Sequence, residues 1–213
     1  YWAENMAELS KNDRLWLNNP VIMQGVGLAP MVVAATSGYT ALVLAAAVAV
    51  MLTPTRVVGA ILRKALGEKY NRFAVLCYAF PAALCYIAAY FLVRHLWGPS
   101  ALQQVGVYLP LLVFEPLIIR RYRAAVPEGP ARALRRGLYT TVGYLVVLLG
   151  VGLARELLAQ GSLMDVQLLD VQLFPLAAQP AGGFMLLGAV CAAWRGRVRA
   201  FKRNIYQEVE RNK

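Results

Sequence analysis

Long stretches of this chain carry almost no charge, and this feature limits its fold more than any other. Residues 39–53, 73–93, 108–119 and 138–154 are nearly all apolar. A helix needs about 20 mostly apolar residues to cross a bilayer. Only 15% of the 213 residues are charged, against about 25% in soluble domains. The sequence therefore predicts an all-α integral membrane protein.

The apolar stretches and the polar segments between them divide the chain into spans. We predict six transmembrane helices, at residues 20–36, 39–62, 73–96, 102–119, 138–154 and 181–194. Around this membrane domain of residues 20–205, residues 1–19 are predicted to form a polar lead-in without a signal peptide. Residues 206–213 are predicted to form a tail.

Lys and Arg residues are concentrated in every second connection. If the N-terminus is cytoplasmic, only Arg94 and Arg155 fall outside the inner regions, which leaves 20 of the 22 basic residues inside. An odd number of spans would break this bias, so it predicts six spans with both termini in the cytoplasm. The same placement explains the net charge of +11 by topology and anionic lipid, without nucleic acid as a partner.

The first and fourth predicted spans are interrupted by helix breakers. These are Gly25, Gly27 and Pro30 in the first span, and Pro110 and Pro116 in the fourth. Paired interrupted spans indicate two inverted three-helix repeats, at about residues 20–98 and 99–205. The alternative is two independent proline kinks. If the repeat exists, the two broken spans meet near the midplane, and that junction is the expected functional site.

Glu115 is the one carboxylate deep in a predicted span, and such residues are functional candidates by default. We expect it to bind a cation, relay a proton or pair with an arginine; the alternative is that it snorkels beside Arg120. His95 lies near Trp97 and is interpreted as an interfacial anchor. No nucleotide loop, zinc spacing or catalytic triad is present, so no catalytic residue is assigned.

The three cysteines, Cys77, Cys85 and Cys191, are interpreted as small apolar core residues. Cys77 and Cys85 are eight residues apart, about 12 Å along a helix, which is too far for both to bind one small cluster. Residues 160–183 form an apolar connection. We expect it to pack on a neighbouring subunit or lie at the membrane interface, although a plain surface loop is equally compatible.

Four motifs resemble one known family in order and spacing. Residues 16–30 read WLNNPVIMQGVGLAP, 109–113 read LPLLV, 152–163 read GLARELLAQGSL and 180–184 read PAGGF. They resemble the E subunit of the Rnf (Rsx) electron-transport complex and the related D subunit of the sodium-pumping NADH:quinone reductase. The resemblance covers almost the whole chain.

The resemblance implies a six-span subunit of the bacterial inner membrane that is not catalytic alone. It implies pairing with a homologous A-type subunit and the sharing of one [2Fe–2S] cluster in the membrane. The Arg155–Glu156 pair also occurs in the family and is interpreted as structural. The two family cluster cysteines, however, correspond to Ala29 and Pro116 here, so no cluster is assigned to this chain.

Three functions follow as hypotheses. The first is a membrane subunit of an Rnf-like ion-translocating electron-transport complex, forming half of the membrane core. The second is a structural or ion-path subunit of a related complex that has lost the cluster. The third is an independent inverted-repeat transporter.

Overall fold

A computed structural model of the chain describes residues 17–25, 27–67, 75–106, 108–113, 129–164 and 166–211. Within these residues the helices are α1 (Pro20–Gln24), a π-helical turn (Pro30–Ala34), α2 (Gly38–Leu66), α3 (Leu76–Val105), α4 (Tyr108–Val113), α5 (Pro130–Gln160) and α6 (Pro180–Arg211). A two-residue hairpin, β1 (Ser162–Leu163) and β2 (Val166–Gln167), and a 3₁₀ turn (Pro175–Ala178) lie between α5 and α6.

In the described part of the chain, α2, α3 and α5 are the three helices long and apolar enough to cross a membrane. They coincide with the second, third and fifth predicted spans. The prediction of a helical membrane protein is confirmed at this level. The full set of six spans and the inverted repeat stay predictions. The hairpin was not predicted.

Helix α2 packs along both α3 and α5 and forms the centre of the bundle. It begins with a capping box, in which the Thr40 amide donates to Ser37 Oγ at 3.2 Å and the Ser37 amide donates to Thr40 Oγ1 at 3.0 Å. A buried hydrogen bond of 2.8 Å joins the hydroxyls of Thr53 and Thr141 across the α2–α5 contact.

Small residues allow these helices to approach closely. A Cβ on Gly59 would overlap the ring of Tyr78 on α3, and one on Gly152 would overlap Ala41 on α2. Such contacts are typical of membrane helices, where close packing replaces the hydrophobic effect as the driving force.

The start of the fourth predicted span, residues 102–105, lies in the helical segment that follows a kink in α3. The kink is at Gly98, which has non-helical φ and ψ angles of 78° and −179° and is followed by Pro99. The third predicted span ends before this kink. Helix α4 then covers Tyr108–Val113, and residues 114–119 lie outside the described residues.

Candidate functional site

The described part of the predicted first span consists of two short segments, α1 and the π-helical turn, and the latter is entered through the helical residues Leu28 and Ala29. We call the described residues between α1 and the π-helical turn, 25 and 27–29, the break. Gly25 and Gly27 both have positive φ angles, 63° and 78°. These angles are accessible to glycine at little cost and stop the regular helix. Pro30 begins the π-helical turn and is buried.

Asn19 holds the start of this segment. Its Oδ1 accepts hydrogen bonds from the amides of Val21 and Ile22, at 3.0 and 3.4 Å, which caps α1. Its Nδ2 donates to the carbonyl of Gly143 at 2.8 Å. One buried side chain therefore both starts α1 and attaches it to α5.

Tyr144 closes the break from the α5 side. Its hydroxyl donates to the Gly27 carbonyl at 3.1 Å, and the residue is fully buried. A Cβ on residue 27 would overlap the Tyr144 ring. Glycine at position 27 is thus required both by its φ angle and by the contact with this ring.

Arg155 is the largest fully buried side chain among the described residues. Its Nη1 donates to the carbonyls of Met31, Val32 and Ala35, at 3.2, 2.6 and 2.9 Å. Its Nε donates to Ala177 at 2.9 Å, and Nη2 donates to the two residues that follow Ala177. The guanidinium therefore joins the end of the π-helical turn to the connection between α5 and α6.

Glu156, the next residue, holds the neighbouring helix start. Its Oε2 accepts a 2.6 Å hydrogen bond from the amide of Gly38, at the N-terminus of α2. Its Oε1 accepts from Ser162 Oγ at 3.2 Å. A carboxylate at this place is stabilised by the helix dipole and by free amides. Arg155 thus binds backbone carbonyls up to Ala35, and Glu156 binds the backbone amide of Gly38, three residues further along the chain.

Arg195 on α6 holds α1. Its Nε donates to the carbonyl of Ile22 at 2.6 Å. This carbonyl lies in the last turn of α1. Carbonyls before, within and after the break therefore accept hydrogen bonds from side chains of α5 and α6.

The anchors of the break all come from the side of α5 and α6. Two residues of the break, Gly25 and Ala29, are exposed in the described chain, and a Cβ on Gly25 would meet nothing within 4 Å. We call the exposed surface of these two residues the open face of the break. Helix α4, which carries the exposed Pro110, packs against the π-helical turn, so the two proline-bearing segments are neighbours.

The two positions that the family resemblance assigns to cluster ligands do not provide ligands in this chain. Ala29 presents a methyl group and Pro116 a saturated ring, and neither has a ligand atom for iron. Cys77 and Cys85 both lie on α3, and Cys191 lies on α6. Among the described residues, no group of three or more His, Cys, Asp or Glu side chains could hold a metal ion.

Two other predicted residues have different outcomes. Glu115 and Pro116 lie outside the described residues, so the position of this carboxylate stays a prediction. His95 is exposed on α3, three residues before the bend at Gly98 and Pro99.

Sequence reasoning missed three residues of the site. Asn19 was part of a motif without a role, Tyr144 was one tyrosine of several, and Arg195 was counted only as a topology signal. Asn19 and Tyr144 could have been identified from the sequence. Each is a hydrogen-bonding side chain in or beside an apolar helix, and a broken helix elsewhere in the chain needs such partners.

Comparisons with known proteins identify the family of this chain. The family model described as Rnf-Nqr subunit, membrane protein, matches residues 9–191. The E subunit of the ion-translocating oxidoreductase complex of Pseudomonas paraeruginosa is 32% identical, over 89% of this chain and 84% of its own length. The corresponding subunits of Shewanella oneidensis and Buchnera aphidicola are 29% and 25% identical, over 84% and 93% of this chain and 82% and 93% of their own lengths. The chain belongs to the Rnf-Nqr family of membrane-protein subunits.

Proposed function

We propose that this chain is the E-type membrane subunit of an Rnf-like ion-translocating electron-transport complex. Its relatives are named as E subunits of an ion-translocating oxidoreductase complex. The observation that carries the proposal is the break, whose backbone and flanking turns bind side chains of α5 and α6 while its open face is exposed. Irregular backbone at membrane depth is tolerated where protein or a water-filled cavity covers it, so this face is a candidate contact for another subunit.

The proposed architecture has six spans in two inverted halves, residues 20–98 and 99–205, with both termini in the cytoplasm and the domain in the bacterial inner membrane. Residues 1–19 and 206–213 are the cytoplasmic ends. The contact of α4 with the π-helical turn supports the meeting of the two broken spans. The placement of 20 of the 22 basic residues supports the orientation.

A homologous A-type subunit is the proposed partner at the open face of the break. Backbone groups in hydrocarbon cost several kcal/mol each when they are unsatisfied, so this face needs a protein surface or a water-filled cavity over it. A homologous subunit of opposite orientation has a broken helix of its own. Each of the two subunits can therefore cover the exposed backbone of the other.

Co-purification tests the pairing. A tagged chain should recover the A-type subunit, and Ala29→Trp should reduce that recovery strongly because the indole occupies the open face. Ala189→Trp, at an exposed position on α6, is the matched control and should retain the partner. Recovery of the chain alone, with a substrate-transport activity of its own, would support the independent transporter instead.

A second candidate is a subunit that supports assembly or ion movement without carrying a cluster. The specific observation in its favour is that Ala29 and Pro116 have no ligand atoms. Iron analysis and EPR spectra of the purified pair decide between the two roles. We expect no [2Fe–2S] signal with ligands from this chain; a cluster signal that disappears when this subunit is omitted would reject the second candidate.

Glu115 is the proposed ion-path residue of this subunit. Glu115→Gln keeps the size of the side chain and removes its charge, so we expect lower ion-coupled turnover with normal assembly. Glu128→Gln, in the adjacent polar connection of the proposed topology, is the matched control and should leave turnover unchanged. Normal turnover of Glu115→Gln would remove this role from the residue.

A further inference from the structure

The connection between α5 and α6, residues 161–179, is a folded element with a bonded backbone. The amides of Leu168 and Leu169 both donate to the carbonyl of Gly161 at 2.9 Å. The amide of Phe174 donates to the carbonyl of Leu158 at 2.7 Å. Arg155 holds the following 3₁₀ turn through the carbonyl of Ala177. We call this element the α5–α6 loop.

The side chains of the α5–α6 loop point outward although most of them are apolar. Val171 is 67% exposed and Leu173 60%. The other large exposed apolar residues are Met164, Val166, Leu168, Leu169, Phe174 and Leu176. The loop contains no Lys or Arg. An apolar patch of this extent on a hydrogen-bonded backbone indicates a surface that is covered by something other than water.

The length of α5 places this loop relative to the bilayer. The helix is basic at its start, up to Arg136, and apolar from Leu138. A hydrocarbon core about 30 Å thick takes roughly 20 helical residues, which extends from Leu138 to about residue 157. The loop, which begins at Gly161, therefore lies at the level of the lipid headgroups.

Two features of the loop favour lipid over a protein partner as the occupant. Exposed apolar side chains occur along the whole loop, and neighbouring residues are exposed in pairs, 168 with 169 and 173 with 174. Lipid can surround apolar groups distributed in this way, whereas a partner protein would need a matching surface along the whole loop. The apolar surface also continues into the first turns of α6, through the exposed Phe184 and Met185, which belong to a proposed membrane span.

We propose that the α5–α6 loop is an interfacial anchor, with its apolar side chains inserted into the headgroup–acyl boundary of the bilayer. Insertion removes these side chains from water while the backbone groups that are already hydrogen-bonded within the loop lose nothing. The Arg155 contacts then transmit the position of this anchor to the π-helical turn.

Site-directed spin labelling tests the anchor in the assembled complex, reconstituted in nanodiscs of phosphatidylethanolamine and phosphatidylglycerol. In a background of Cys77→Ala, Cys85→Ala and Cys191→Ala, the label is attached at Leu173→Cys or Val171→Cys. Collision with oxygen, which partitions into lipid, is compared with collision with a water-soluble nickel chelate. We expect oxygen accessibility to exceed nickel accessibility at both sites.

Two reference labels calibrate the result. Phe91→Cys, at a 61% exposed position on the outer face of α3, reports hydrocarbon, and Asp170→Cys reports the polar side of the same loop. Higher nickel accessibility at positions 171 and 173 would show a water-exposed loop and overturn the proposal. Low accessibility to both reagents would show a protein partner over the loop and would overturn it equally. All four positions are exposed, so the labels disturb no packed contact.

Discussion

Arg155→Met should destabilise the protein more than any other single arginine substitution in the described chain. The change leaves the carbonyls of Met31, Val32, Ala35 and Ala177 without their donor. Each buried unsatisfied carbonyl costs about 1–3 kcal/mol. Even at the lower end of this range the four carbonyls give a loss of roughly 4 kcal/mol, which is a large part of a total stability of about 5–15 kcal/mol.

The loss is measured by thermal unfolding of the purified protein in detergent and by the yield of monodisperse complex. Arg155→Lys should recover only part of the stability, because an ammonium cannot reach both the π-helical turn and the 3₁₀ turn as the guanidinium does. Arg132→Met, at an exposed position on the same helix, is the matched control and should be nearly neutral. Equal stability of the Arg155 and Arg132 variants would show that the guanidinium contacts contribute little.

Gly27→Ala should be the most damaging change within the break. The residue has a φ of 78°, and a left-handed conformation costs a residue with a Cβ about 1–2 kcal/mol. The new methyl group also overlaps the Tyr144 ring, which is fully buried and cannot move away freely. Overpacking of this kind adds about 1–3 kcal/mol, so we expect roughly 2–5 kcal/mol in total.

Gly25→Ala provides the matched control for this prediction. Gly25 has a similar φ of 63°, but a Cβ there would meet nothing within 4 Å. It should therefore lose only the conformational part, about 1–2 kcal/mol. Unfolding temperatures of the two variants, measured side by side, separate backbone strain from the contact with Tyr144. If both variants lose the same stability, the ring does not restrict residue 27.

Together, Arg155 and Gly27 show how an interrupted membrane helix is stabilised. The carbonyls of Ile22 and Gly27 beside and within the break bind Arg195 and Tyr144, and the carbonyls at the end of the π-helical turn bind Arg155. Glu156 performs the complementary task for the free amide of Gly38 at the start of α2. The adjacent Arg155 and Glu156 thus set the positions of the π-helical turn and of α2 at the same level of the bundle.

Hydropathy, charge placement and breakers in the sequence alone were sufficient for several conclusions. They predicted a helical membrane protein, the three long apolar helices found among the described residues, and an interruption of the first segment near Gly25, Gly27 and Pro30. The motifs predicted the family, which the comparisons confirm. These properties depend on local composition and on solvent, so they can be recognised without knowing which segments meet.

Only the tertiary structure decided which side chains hold the interruption. Arg155 is 120 residues or more from the carbonyls of Met31, Val32 and Ala35 that it binds, and Arg195 is 173 residues from Ile22. A sequence shows that carbonyls freed by a broken helix need donors, but a donor can come from any helix that packs nearby. The packing of the helices determines which donor is close enough. Here α5 and α6 pack beside the first segment, and they bring Tyr144, Arg155 and Arg195 to its carbonyls.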